Sequence, residues 1–227
     1  MRTKSLLLAA AALAAGALSS QAQTVYSANI VGYVNQTFVA GQYQLVTPTL
    51  SVTSTNSAED VLPGLQTGDE ILLWTGSTYA GYTYVAPGVW QLPNGNTGAA
   101  PLLGQGQGFF YLNGQGANET NTTVGTVTLT NTVTLPAGIY TLVGSTPPIA
   151  DSLDGTNLNL PLLTGDEVLL WDPVGTTYLG YTFVAPGVWQ LPNGNTGTAP
   201  TIAVGAGFFY LNGQGTAETW TNDLSVQ

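Results

Sequence analysis

The sequence predicts an all-β fold of two tandem β-sandwich or barrel-like modules, and three observations carry that expectation. The chain repeats itself: Gly41, Gly68 and Trp74 recur as Gly138, Gly165 and Trp171 at an offset of 97, and residues 85–98 recur unchanged as 184–197 at an offset of 99. Residues 108–116 recur as 207–215, and self-similarity of this kind marks a repeated structural unit. The apolar residues fall in short runs rich in β-branched and aromatic side chains, broken by Gly, Pro and Asn, a pattern that favours strands over helices. With 44% hydrophobic residues there is apolar material for one or two cores, so the composition is not that of a disordered chain.

Taken in order, residues 1–22 read as a secretory signal. Arg2 and Lys4 are basic, residues 5–18 are apolar, and Ser20 and Ala22 place small side chains before a cut at Gln23. The apolar run is too short to span a bilayer comfortably, and no later stretch could do so. The mature chain then divides into an amino-terminal strand segment at 23–33, a first module at 34–127, a connecting strand at 128–130 and a second module at 131–227. Residues 57–62 suit one helical turn capped by Ser57. Residues 71–74 and 109–112, with their copies at 168–171 and 208–211, are apolar at every position and suit central strands covered on both faces. Asn94-Gly95 and Asn193-Gly194 mark tight turns. Residues 126–135 alternate Thr with apolar residues, interrupted by Asn131, and predict one strand. A single threonine row is too narrow for an ice-binding face, and β-propensity accounts for it.

Charge narrows the function. The chain has twelve carboxylates, two basic side chains, no His and no Cys, and removal of the signal takes away both basic residues. Affinity for nucleic acid and for anionic lipid rests on cations, so neither is an expected partner. Disulfides are impossible. Mutual repulsion among carboxylates without cations should raise their average pKa in the folded state, so stability is expected to rise on acidification.

No Ser-His-Asp triad, Cys-His pair, Schiff base or His/Cys zinc site can be assembled in the mature chain. The repeated Thr67-Gly-Asp69-Glu70 and Thr164-Gly-Asp166-Glu167 offer paired carboxylates. Each pair opens a strand, however, where neighbours point to opposite faces and cannot converge on one substrate. No catalytic residues and no enzyme are expected. Calcium is the one ion this donor set suits, with Asp151, Asp154, Asn157 and Asn159 as candidate ligands around Gly155. Their spacing is not that of an EF-hand, and a plain polar loop competes with the metal reading. A glycan-binding reading rests on Trp90, Gln91 and Asn94 and on Trp189, Gln190 and Asn193, which would pair stacking rings with amides. Burial of both tryptophans in the core is the competing reading.

Val25-Tyr26-Ser-Ala-Asn29-Ile30-Val31-Gly-Tyr33-Val-Asn35 resembles the opening of a group of secreted proteins of verrucomicrobial-type bacteria, which also carry a Gly-x-Gly-Phe-Phe segment like residues 106–110. This chain departs from that group at Val46-Thr-Pro-Thr-Leu50, where members read Ile-Ala-Asn-Pro-Leu. The resemblance implies secretion and a β-rich fold, and it brings no catalytic residues. The expectation is therefore a secreted, non-enzymatic structural or surface-associated protein. Three related segments, at 24–33, 121–130 and 220–227, flank the two modules. If both modules share the middle one, the outer two lack neighbours, and Val25, Tyr26, Ile30, Val31 and Tyr33 become an edge for self-association. A secreted carbohydrate-binding protein is the alternative.

Overall fold

Strands that are apolar on both faces need two covers, and the architecture supplies them. The computed structural model describes residues 30–224, so the expected signal segment and the candidates Val25 and Tyr26 lie outside the described residues. The fold is all-β: nineteen strands and one four-residue helix among the described residues. The first half comprises β1 (Val31–Phe38), β2 (Tyr43–Val46), β3 (Leu50–Ser51), α1 (Ala58–Val61), β4 (Glu70–Trp74), β5 (Tyr79–Ala86), β6 (Val89–Gln91), β7 (Thr97–Gly98), β8 (Phe109–Leu112) and β9 (Glu119–Val127). The second comprises β10 (Thr130–Leu135), β11 (Tyr140–Gly144), β12 (Asp151–Ser152), β13 (Glu167–Asp172), β14 (Thr177–Ala185), β15 (Val188–Gln190), β16 (Thr196–Gly197), β17 (Thr201–Ile202), β18 (Gly207–Leu211) and β19 (Glu218–Asp223). No described helix is long and apolar enough to cross a membrane.

The two halves build six-stranded antiparallel sheets of the same order, β2-β8-β4-β5-β6-β7 and β11-β18-β13-β14-β15-β16. Alternation sends Ile71, Phe109 and Tyr111 to one face of the first sheet, where they join Phe38, Val61, Leu62, Trp90 and Leu103 in its own core. Val168, Phe208 and Tyr210 enter the matching core with Leu135, Leu153, Trp189 and Trp220. The opposite faces, carrying Leu45 and Phe110 on one sheet and Leu142 and Phe209 on the other, form a third core that the halves share.

Local signals explain the joints. Ser57 accepts a hydrogen bond from the Asp60 amide and its own amide donates to the Asp60 carboxylate, a capping box that starts α1. At the β6–β7 turn Gly95 has φ +82°, and its amide donates to Leu92 O at 2.8 Å. Gly194 repeats the arrangement at φ +81°. The expected single strand at 126–135 is two strands. β9 ends at Val127 against β1 and β3, whereas β10 opens at Thr130 against β19. The chain changes halves at Thr128 and Leu129, and one straight strand cannot serve two sheets with different neighbours.

The same handover corrects the shared-strand expectation. β1 pairs with β9 over its whole length, from Val31↔Thr126 to Phe38↔Glu119, and β19 pairs with β10. The described parts of both terminal segments, residues 31–33 and 220–223, therefore have partners within the chain. Residues 31–33 belong to the same strand as 34–38 rather than to a separate piece.

The halves meet through reciprocal contacts. Val46 bridges to Ala206 as Val143 bridges to Gln107, and Thr47 N donates to Gly205 O at 2.9 Å as Gly144 N donates to Gly106 O at 3.0 Å. A Cβ at Gly144 would lie 2.3 Å from Thr47 Cγ2 and 3.0 Å from Ala206 O. Gly144→Ala should thus force the halves apart and cost about 1–3 kcal/mol, the range for overpacking a tight contact. Chemical denaturation compared with Gly41→Ala checks the cause: a Cβ at Gly41 meets nothing within 4 Å, so its cost is limited to its φ of +66°.

Candidate functional site

The tryptophans of the glycan expectation lie inside. β6 alternates exposed Val89, buried Trp90 and exposed Gln91, and β15 repeats this with Val188, Trp189 and Gln190. Both indoles are fully buried, edge-on to Tyr84 and Phe183 at centroid distances of 5.3 Å in each case. Trp90 Nε1 donates to Glu59 Oε1 at 2.9 Å and Trp189 Nε1 to Asp154 Oδ2 at 3.2 Å. Gln91, Asn94, Gln190 and Asn193 are exposed on the hairpins. Rings and amides share no stacking face, because adjacent strand residues project to opposite sides.

The calcium expectation meets a loop organised by its own backbone. Asp151 accepts from the amides of Ser152, Asn157 and Leu158 at 2.8, 2.9 and 3.2 Å, and Asp154 accepts from the Ser152 hydroxyl at 2.6 Å. Asn157 O receives the Asn222 amide, and Asn159 Nδ2 donates outward to Thr221 O. No group of three or more His, Cys, Asp or Glu among the described residues could hold a metal ion.

The repeated Gly-Asp-Glu turns separate their carboxylates as alternation requires. Asp69 is fully buried and accepts four hydrogen bonds, from Gln66 N, Tyr111 Oη, Gly114 N and Gln115 Nε2 at 2.7–3.0 Å. Asp166 has the matching set from Leu163 N, Tyr210 Oη, Gly213 N and Gln214 Nε2. A Cβ at Gly114 would sit 2.3 Å from Gly68 O, which is why the Asn-Gly-Gln-Gly loop can close over the aspartate. Glu70 and Glu167 lie on the other face and accept the hydroxyl protons of Tyr43 and Tyr140.

Tyr111 also bonds to Glu119, so one hydroxyl proton serves two carboxylates; Glu119 Oε2 and its counterpart Glu218 Oε1 are buried without partners among the described residues. Burial raises both glutamates above the ordinary carboxylate range, reinforced by the charges of Asp69 and Asp166. Asp60 and Asp154 are lowered, chiefly by the hydroxyls of Ser57 and Ser152.

Two surface features remain. Around the shared core, an open apolar groove of about 220 Å³ is lined by Trp74, Tyr79, Tyr140, Leu169, Tyr178 and Phe209. A second, of about 140 Å³, is lined by their repeat counterparts and the same two tyrosines. Tyr79 Oη and Tyr178 Oη are hydrogen-bonded at 2.8 Å between the grooves. Trp74 Nε1 donates across the junction to Tyr140 O at 3.1 Å, and Trp171 Nε1 to Tyr43 O at 2.7 Å. The sequence placed Trp74 and Trp171 on two-faced strands but gave no sign that they would be half-exposed.

The other feature is the outward face of β1 and β9. Val31, Tyr33 and Val124 are 69%, 73% and 55% exposed, and Tyr33 and Val124 are register partners. Ile30 turns inward instead, packing beside Leu50 and Val127.

Two expected outcomes follow from these placements. Trp90→Ala and Trp189→Ala should each destabilise the fold by about 3–5 kcal/mol in denaturant titrations, the cost of emptying a packed aromatic site. On acidification from neutral, Glu119 and Glu218, with raised folded-state values, bind protons more readily in the folded chain, so stability should rise until pH reaches the unfolded glutamate value of about 4.3. Below about 3.9, the unfolded aspartate value, Asp60 and Asp154 lose their advantage and stability should fall. Melting curves from pH 7 to 3 with EDTA should therefore show a maximum near pH 4, which Glu119→Gln with Glu218→Gln flattens on its alkaline side.

In comparisons with known proteins, no family model, no curated protein and no solved structure matches this chain.

Proposed function

We propose that this is a secreted, non-enzymatic structural or surface-associated protein whose copies associate through β1. The observation that carries the reading is a difference between the halves. Tyr33 and Val124, register partners in β1 and β9, correspond in the repeat to Thr130 and Asp223, register partners in β10 and β19. The same backbone position is served by polar residues in the second half, so the fold does not require the apolar ones in the first. Exposed apolar residues held where polar ones suffice are the mark of a docking surface.

The strand itself supports the reading. β1 is eight residues long, uncharged, and lies at the edge of the β1-β9-β3 sheet. Edge strands that must avoid pairing usually carry charges, prolines or bulges, and β1 has none of these. A second copy is the fitting partner because β1 offers another β1 the same uncharged, threonine- and tyrosine-bearing surface in antiparallel register. Secretion rests on the signal-like residues 1–22. The non-enzymatic reading is supported by the lack of His and Cys and by the structural engagement of Asp69 and Asp166.

The acidic charge of each copy opposes assembly, and salt screens it over a distance of about 8–10 Å. Size-exclusion chromatography with light scattering on the mature chain should show a larger assembled fraction at 0.5 M than at 0.05 M salt. Tyr33→Thr with Val124→Asp, which gives the first half the residues of the second, should reduce that fraction roughly ten-fold without lowering the melting temperature. A mature chain that stays monomeric at millimolar concentration in 0.5 M salt overturns the self-association reading.

A further inference from the structure

We propose that Tyr79 and Tyr178 are a modification site, at which a one-electron oxidant couples the two phenol rings and joins the halves of the chain through a covalent dityrosine bond. The proposal does not depend on association through β1.

The two residues are repeat counterparts, so each half brings the same ring to the junction. Their hydroxyls are exposed and lie 2.8 Å apart, although the residues are 99 positions apart in the chain. Among the described residues no other two phenol hydroxyls meet. Tyr43 and Tyr140 donate to Glu70 and Glu167, and Tyr111 and Tyr210 are buried against Asp69 and Asp166. A hydrogen bond open to water adds little to stability, because bonds to solvent replace it. What the contact fixes is geometry. Dityrosine forms between ring carbons adjacent to the oxygens, and its hydroxyls remain neighbours, so the contact seen here is one that the coupled pair keeps.

The surroundings suit the reaction. Tyr79 and Tyr178 line both junction grooves, so each ring borders open space in which it can turn to bring an ortho carbon forward. Both stand at the start of a strand, beside the exposed hairpin tips at 75–78 and 174–177, where the backbone can adjust. Trp74 packs beside Tyr79 at a centroid distance of 5.0 Å and Trp171 beside Tyr178 at 5.1 Å. An indole radical formed in either groove is therefore in contact with a tyrosine that can reduce it.

Burial raises both phenols above their ordinary value, so each is protonated at neutral pH and loses a proton with its electron. The two phenoxyl radicals join at ortho carbons. The hydrogen on each of those carbons then moves through water to the phenol oxygen, which restores both rings. The pair thereby gives up two protons and two electrons, which one hydrogen peroxide, acting through a haem peroxidase, takes up to form two waters. Such a bond would serve where other cross-links cannot: the chain has no Cys, and beyond residues 1–22 it has no Lys. It closes a long loop and holds the two six-stranded sheets together, which removes conformational freedom from the unfolded chain.

The test treats the mature chain, in dilute solution, with hydrogen peroxide and a haem peroxidase under conditions that couple free tyrosine. Cleavage after Glu70, Glu119, Glu167 and Glu218 then places Tyr79 in the peptide 71–119 and Tyr178 in the peptide 168–218. Mass spectrometry should find these two peptides joined, lighter than their sum by two hydrogen atoms, in chain that still runs as a monomer on a denaturing gel. Tyr79→Phe and Tyr178→Phe keep the ring and remove only the hydroxyl, and each should lose the joined peptides. Circular dichroism establishes that each variant is folded, and if one is not, the other decides. Tyr33→Phe, at the 73% exposed position on β1, should retain the joined peptides. Joined peptides that persist in a folded Tyr79→Phe or Tyr178→Phe assign the bond to another pair and overturn the proposal. Oxidation that yields only cross-linked dimers, or no coupling within the chain, overturns it equally.

Discussion

The two-faced apolar strands β4, β8, β13 and β18 set the constraint from which the rest of the architecture follows. Each six-stranded sheet has an apolar inner face, covered by its own strands and loops, and an apolar outer face that nothing in its own half covers. Exposed to water, an outer face carrying Phe110, Leu72 and Trp74 would forfeit about 1.5–3 kcal/mol for each large side chain that could be buried. The other half provides that cover, and the repeat makes it reciprocal, with Phe110 against Trp171 and Phe209 against Trp74. Indole-to-carbonyl bonds in both directions then fix the register of the junction. The halves are therefore layers of one packed assembly rather than beads on a string. The partial exposure of Tyr79 and Tyr178 follows too, because twisted sheets in contact at their centres splay apart at the edges.

A chain almost without cations must stabilise its buried carboxylates in another way. Asp69 and Asp166 are each met by four donors, two backbone amides, a tyrosine hydroxyl and a glutamine amide. Such sets of dipoles replace an ion pair without importing a second charge that would itself need solvation. In each half they also tie together two segments distant in sequence at the ends of the central strands, the turn at 66–70 with the loop at 113–115 and the turn at 163–167 with the loop at 212–214. Glu119 and Glu218 are the less complete cases, each sharing a tyrosine with an aspartate, and burial raises their proton affinity, with the charges of Asp69 and Asp166 adding to it.

How much of this was legible in the sequence depended on whether the deciding contact was local. The Ser57 cap, the Asn-Gly turns and the covered central strands were readable because composition within a few residues determines them. The opposed directions of Asp69 and Glu70 were readable because alternation alone fixes them. The break at Thr128 and Leu129 was not, since a Thr-alternating run looks continuous until the two halves compete for it. Nor was the side to which Trp90 turns: alternation sets Trp90 against Gln91 but not which faces the core, and Glu59, which receives its N–H, lies 31 residues away. The grooves were hidden for a related reason. Trp74 and Tyr79 look like core residues in sequence, and only the meeting of two sheets leaves them half-covered.

A repeat provides an internal control that a single domain lacks. Positions kept identical in both halves, such as the Gly-Asp-Glu turn or Trp90 and Trp189, face the same packing demands twice, so their identity is explained by the fold. Surface positions that share a backbone but differ in chemistry are released from that explanation. Tyr33 and Val124 stand in this second class against Thr130 and Asp223, which is why the proposed association is placed on the β1 surface and not at the buried tryptophans.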